Sequence, residues 1–233
     1  MTRPKLRFVL RGLNLAFEIM RSLAKDAQIE LRSPSAIGTA IAFAGITTLA
    51  VSLVSGGITF SANVLSILLW IILFFSAMNS LLHVFTREEE QQTVLFLSLS
   101  VSPESVYLSK LLFNVLFFLV IELIVCPFFM FFMNVSVIHI VLFILTVLGG
   151  GLAISASATI LAAMAAKAGG KGSLFTIIAF PIILPVLWVS ISTTTSCFLQ
   201  DAASYNNVFF LFAFSVTIIA ISYLMFRYIW IEE

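Results

Sequence analysis

Six apolar stretches, each long enough to cross a bilayer, alternate with short loops in which the basic residues are sorted to one side. The first, third and fifth loops, at residues 56–60, 134–138 and 193–205, hold no Lys or Arg. The twelve basic residues precede the first stretch, lie in or at the edges of the second and fourth loops, or close the sixth stretch. Cytoplasmic loops of membrane proteins carry the Lys/Arg excess, so this sorting predicts both topology and orientation. Composition agrees: 61% of the residues are hydrophobic and 10% charged, whereas a soluble domain carries about 25% charged residues. The expected fold is an all-α membrane protein, six transmembrane helices preceded by an amphipathic in-plane helix, with both termini cytoplasmic.

In residues 1–32, Leu6, Leu10, Leu13, Phe17, Met20, Ala24, Ala27 and Leu31 recur every three or four positions. Arg3, Arg7, Arg11, Asn14, Glu18, Arg21, Lys25, Gln28 and Arg32 fill the other side. That period makes one apolar face, as in a helix lying at the headgroups with its cations near anionic lipid. Charged and apolar residues are mixed throughout residues 3–32, unlike a cleavable signal with its uninterrupted apolar core. Such a helix anchors the chain to lipid and can also touch a cytoplasmic partner.

The predicted spans are about 34–55, 62–85, 105–133, 139–165, 173–192 and 208–229, each near or above the roughly 20 helical residues a bilayer core requires. Ser33-Pro34 suits the start of the first, and Gly56-Gly57 its end. The middle of the fourth is small: Gly149, Gly150, Gly151, Ala153, Ser155, Ala156, Ser157 and Ala158. Small residues let helix backbones approach closely inside lipid. Pro181 and Pro185 in the fifth predict a kink or break. The polar segment Ser192–Asn207, which carries Asp201, has the composition of irregular chain that can re-enter the membrane where protein shields it.

Residues 86–104 interrupt the apolar pattern. Arg87-Glu88-Glu89-Glu90-Gln91-Gln92 is the most polar run of the chain. Val94, Leu95, Leu97, Leu99 and Val101 follow, too short a segment to span, and then Ser102-Pro103-Glu104 opens the next helix. The expectation is a short cytoplasmic coupling helix, half charged and half apolar, that docks a partner through Arg87, Glu88, Glu89, Glu90, Thr93 and Leu97. A plain solvated linker has little use for the apolar half.

Few residues offer chemistry. Glu122 is the sole ionisable group near the middle of a span. Charged and unpaired there it would cost several kcal/mol, so it is expected to be neutral, paired or facing a cavity. It reads either as a polar point on a substrate path or as a hydrogen-bonding partner for a neighbouring helix. Cys126 and Cys197 have no metal-type spacing and read as small buried hydrophobes. Lys167-Ala168-Gly169-Gly170-Lys171-Gly172 lacks the glycine spacing and Gly-Lys-Ser/Thr ending of a phosphate loop. With no nucleotide motif, no Gly-x-Ser-x-Gly and no metal-ligand cluster, the chain is expected to be a non-catalytic subunit that draws energy from another chain.

An in-plane basic helix, six spans, cytoplasmic termini and a docking loop after span two resemble the permeases of type-2 ABC exporters. Ser102-Pro-Glu-Ser-Val-Tyr-Leu-Ser-Lys-Leu-Leu-Phe-Asn114, Glu122-Leu-Ile-Val-Cys-Pro127 and Phe180-Pro-Ile-Ile-Leu-Pro-Val-Leu187 are similar to the haem exporter permease of cytochrome c maturation, the CcmB type. The family's docking loop usually shows an acidic residue, then Gly-Thr and Leu-Glu; here it reads Glu90-Gln91-Gln92-Thr93-Val94-Leu95. The resemblance implies a single transmembrane permease domain over residues 1–233 in the cell inner membrane, paired with a second permease copy. It further implies a separate ABC ATPase subunit that binds ATP, and other cytochrome c maturation membrane proteins as partners.

Haem then enters as a substrate, not as a cofactor of this chain; the work done is haem export or ATP-driven release of a haem-loaded chaperone. His83 and His139 fall at opposite faces of the membrane, so they cannot clamp one haem together and read as interfacial polar residues. Two other readings fit the bare sequence: a type-2 ABC permease for a lipid, drug or polysaccharide, and a non-transporting membrane scaffold. A secondary transporter fits poorly, because Glu122 is the one candidate coupling group and no internal repeat is visible.

Overall fold

Helices account for nearly all of the described residues because, in lipid, a helix satisfies its own backbone hydrogen bonds. The computed structural model describes residues 18–30, 35–90, 102–167, 172–199 and 205–231, without the side chains of 35, 77, 79–90, 167, 172–180, 227 and 229–231. Seven helices follow: α1 at residues 18–30, α2 at Ser35–Val54, α3 at Ala62–Glu90, α4 at Pro103–Phe132, α5 at Ile140–Lys167, α6 at Gly172–Phe198 and α7 at Asn206–Ile231. No strand occurs among the described residues. Helices α2, α4, α5, α6 and α7 are long and apolar enough to cross a membrane, and α3 carries a shorter apolar stretch, Ala62–Ser76. The chain is a multi-pass membrane protein.

Tertiary contacts set the helix directions. At one end, Ser52 Oγ of α2 donates to Phe132 O of α4 at 2.8 Å, and the Ile138 N–H before α5 donates to Cys197 O of α6 at 2.9 Å. Near the same end Trp70 Nε1 of α3 donates to Thr194 Oγ1 of α6 at 2.9 Å. At the opposite end the Tyr107 ring of α4 lies 5.4 Å from the Phe226 ring of α7. Successive helices from α2 to α7 therefore run antiparallel.

Helix α5 is the hub, packing against α3, α4, α6 and α7. Its small residues make this feasible: Ala153, Ser155, Ala156, Ser157, Ala158 and Thr159 are all fully buried. Two of its buried hydroxyls are satisfied on their own helix, Ser157 Oγ donating to Ala153 O at 2.8 Å and Thr159 Oγ1 to Ser155 O at 2.6 Å, while Ser155 Oγ donates to Asn114 O of α4 at 3.4 Å. This back-bonding satisfies hydroxyl donors that are packed away from water.

Two expectations concern α6. Pro181 and Pro185 do not break it; the helix runs unbroken through both, and both rings face outward, where packing does not press on them. The polar stretch beyond residue 192 is helix to Phe198, and its hydroxyls are accommodated there, Thr193 and Thr195 donating to Val189 O and Ile191 O at 2.8 and 2.9 Å. Residues 200–204 lie outside the described set. Likewise, the run Arg87–Glu90 is no separate short helix but the end of α3, with Thr93 and Leu97 outside the described residues.

Candidate functional site

The centre of the bundle is organised by Gly149, Gly150 and Gly151 of α5. Successive helical residues point about 100° apart, so the three open three directions at one level. A Cβ at Gly149 would sit 3.2 Å from Leu211 Cβ of α7. At Gly150 it would strike the Trp70 ring of α3 and come within 2.8 Å of Ser190 Oγ of α6. At Gly151 it would strike the Glu122 carboxyl of α4 and lie 2.9 Å from Phe118 Cδ1. Four helices thus close on one backbone segment, and each gains its approach from a missing methyl.

Glu122 is 5% exposed and rests on this segment, with its Oε1 lacking a hydrogen-bond partner; Ser190 Oγ is likewise unpartnered. Trp70, by contrast, is satisfied through Thr194. Sequence reasoning found the intramembrane carboxyl and the small-residue stretch but not that one is fitted to the other. About two turns further along, Asn114 Nδ2 donates to Thr159 Oγ1 at 2.8 Å, a second polar tie between α4 and α5.

A second polar centre joins α1 to α4. Ser102 caps α4 by accepting from the Ser105 N–H at 3.3 Å. Ser105 Oγ donates to Glu18 Oε2 at 2.8 Å, and Ser102 Oγ to the same oxygen at 3.4 Å. One level further, the Ser22 and Ser109 hydroxyls are 3.1 Å apart. Then Lys110 Nζ meets Asp26 Oδ2 at 2.9 Å, with 2% and 11% of the two side chains exposed. Finally Glu30 Oε1 accepts from the Ala36 and Ile37 N–H groups at 3.1 Å each, at the start of α2.

The contacts advance together along α1 and α4, so α1 runs obliquely beside α4 in the same sense. Its polar face is therefore turned partly inward, while Met20 is 69% exposed on the other side. The physical reason is Lys110. A lysine roughly 10 Å inside an apolar helix needs a counter-charge, and Asp26 supplies it. The signal was present in the sequence as Glu18, Ser22, Asp26 and Glu30, four residues apart on one helical face.

The remaining sequence-predicted residues are dispersed. Arg87, Glu88, Glu89 and Glu90 form the last turn of α3, far from Glu122. His83 lies near that same end of α3, whereas His139 immediately precedes α5 at the other end of the bundle, its N–H 3.3 Å from Cys197 O. Cys126 and Cys197 are both free and buried. Among the described residues no three His, Cys, Asp or Glu side chains come together as a metal would require.

A family model described as CcmB protein matches residues 17–227 of the 233. No curated protein matches the chain. The matched region takes in all of α2 to α6, the Gly149–Gly151 hub and the α1–α4 contacts. With nine-tenths of its length so matched, the chain belongs to the CcmB family, the haem exporter permeases of cytochrome c maturation.

Proposed function

We propose that this chain is the membrane subunit of an ABC transporter complex for cytochrome c biogenesis, spanning the cell inner membrane six times as one permease domain, with both termini cytoplasmic. Haem, or a haem-loaded chaperone to be released from partner membrane proteins, is what the complex moves. ATP binds to a separate ATPase subunit. A second copy of the permease completes the membrane part.

The observation that carries this reading is the form of α3. Its 29 residues extend roughly 43 Å, against a hydrocarbon core of about 30 Å. A helix that enters the bilayer at Ala62 thus has about 13 Å to spare, and its last turn is Arg87-Glu88-Glu89-Glu90. A rigid rod with a charged end outside the membrane is suited to receive a push. In this mechanism two ATPase subunits close on ATP and displace that end together with the following segment, which includes Thr93 and Leu97. Helices α3 and α4 tilt, and the glycine contacts on α5 allow the opposite ends to repack without side chains interlocking.

The test replaces Glu88, Glu89 and Glu90 together with Lys and measures co-purification of the ATPase. Loss of association with normal permease levels is expected; undiminished association counts against docking at the end of α3.

A further inference from the structure

Helix α1 was expected to anchor the chain to lipid, yet three of its carboxylates face protein. Glu18 meets the capping serines at the start of α4, Asp26 the buried Lys110 of α4, and Glu30 the first amides of α2. Two of the three sit at helix N-termini, where backbone N–H groups and the helix dipole favour an anion. The third neutralises a cation that has no water to turn to. None of these contacts involves the exposed Met20 side of the helix, the side free to meet lipid.

The levels of the helices explain what the contacts accomplish. Helix α2 has 20 residues and α4 has 30, and their far ends are level because Ser52 bonds Phe132. The near end of α4 therefore projects roughly 15 Å beyond that of α2. Helix α1 lies beside this projection, with Glu18 at its tip and Glu30 over the first turn of α2. It fills the step between a long helix and a short one.

We propose that α1 is a coupling strut: Asp26 and Lys110, supported by Glu18 and Glu30, are positioning residues that make α1, α2 and α4 move as one body when the segment ahead of α4 is pushed. This rests on the ATPase-docking reading above, since the push arrives just before Ser102. Ordinary anchoring requires only that α1 stay at the membrane; a strut requires that it stay fixed to α4 throughout the cycle.

The experiment uses the full-length permease with its ATPase and partner proteins in cells that lack the native permease, with haem-stained c-type cytochrome as readout. Asp26→Asn and Lys110→Gln are expected to lower cytochrome yield about tenfold, within the range by which single residues alter coupling. In the doubly neutral D26N with K110Q, which leaves no unpaired buried charge, permease level and ATPase co-purification stay unchanged while the yield still falls. The exchanged pair, D26K with K110D, restores most of the yield. Separately, Ser22→Cys with Ser109→Cys, whose hydroxyls are 3.1 Å apart, is oxidised to lock α1 on α4. The native thiols are buried and do not compete. A locked protein that still matures cytochromes supports the strut.

Inactivation on locking that a reductant reverses overturns it, because α1 would then have to leave α4. Unchanged yield in D26N overturns it too, as does a fall in permease level or in ATPase association that accounts for the loss. If the ATPase fails to associate even with the unaltered permease, the docking reading falls, whereas the locking result still reports on α1.

Discussion

At the residue scale, Gly150 and Gly151 differ in kind from Gly38. A Cβ on Gly38 meets nothing within 4 Å, whereas one on Gly150 or Gly151 meets an indole ring or a carboxyl. Gly151→Ala and Gly150→Ala are therefore expected to destabilise the bundle by about 1–3 kcal/mol, the usual cost of overpacking. Gly38→Ala is expected to be neutral or to stabilise by up to about 1 kcal/mol through helix propensity. Thermal unfolding in detergent separates the two cases. Glu122→Gln keeps the shape that fits Gly151, so the folded protein and its cytochrome yield should both survive; lost yield with an intact fold would assign Glu122 to the transport path. The carboxyl was legible in the sequence as an ionisable group within an apolar run. Its fit against a glycine 29 positions away was not, because facing pairs between helices leave no mark in local periodicity.

At the element scale, α4 shows how a cap and a tertiary contact become entangled. Ser102 holds the Ser105 amide, and its hydroxyl also lies 3.4 Å from Glu18 Oε2. Ser102→Ala should cost about 1 kcal/mol, the ordinary loss of an N-cap. Ser102→Asp is the sharper test: Asp caps as well as Ser in isolation, but here it sets a second carboxylate against Glu18. It should destabilise more than Ala does, and Glu18→Gln should relieve the difference in the same unfolding measurement. The start of α4 at Ser102-Pro103-Glu104 could be read from residue types alone. The orientation of α1 could not. Its apolar period was plain, but the stripe of Glu18, Ser22, Asp26 and Glu30 acquires meaning only once Lys110 and the first turn of α2 are beside it. Of the kink or break expected at the prolines of α6, the break does not occur, because a proline on an outward face removes one backbone bond without forcing the helix to end.

For the whole molecule, the antiparallel order of α2 to α7 gathers the last turns of α3 and α5 and the first turns of α4 and α6 at one end, and the turn at 134–138 at the other. Single cysteines at positions 136 and 169 are expected to differ in labelling by a membrane-impermeant thiol reagent. Position 136 should react in intact cells and position 169 only after permeabilisation, with the buried Cys126 and Cys197 silent. Equal reactivity at both positions would overturn the proposed orientation. That the chain is helical and multi-pass follows from apolar length and sorted charge, because solvation by lipid or water acts on each segment separately and is written in its composition. Which helix sits at the centre, what Glu122 leans on, and why a lysine survives inside α4 depend on pairs of segments distant in the chain. Those pairings come from packing and from charge neutralisation in three dimensions, and only the assembled bundle brings them together.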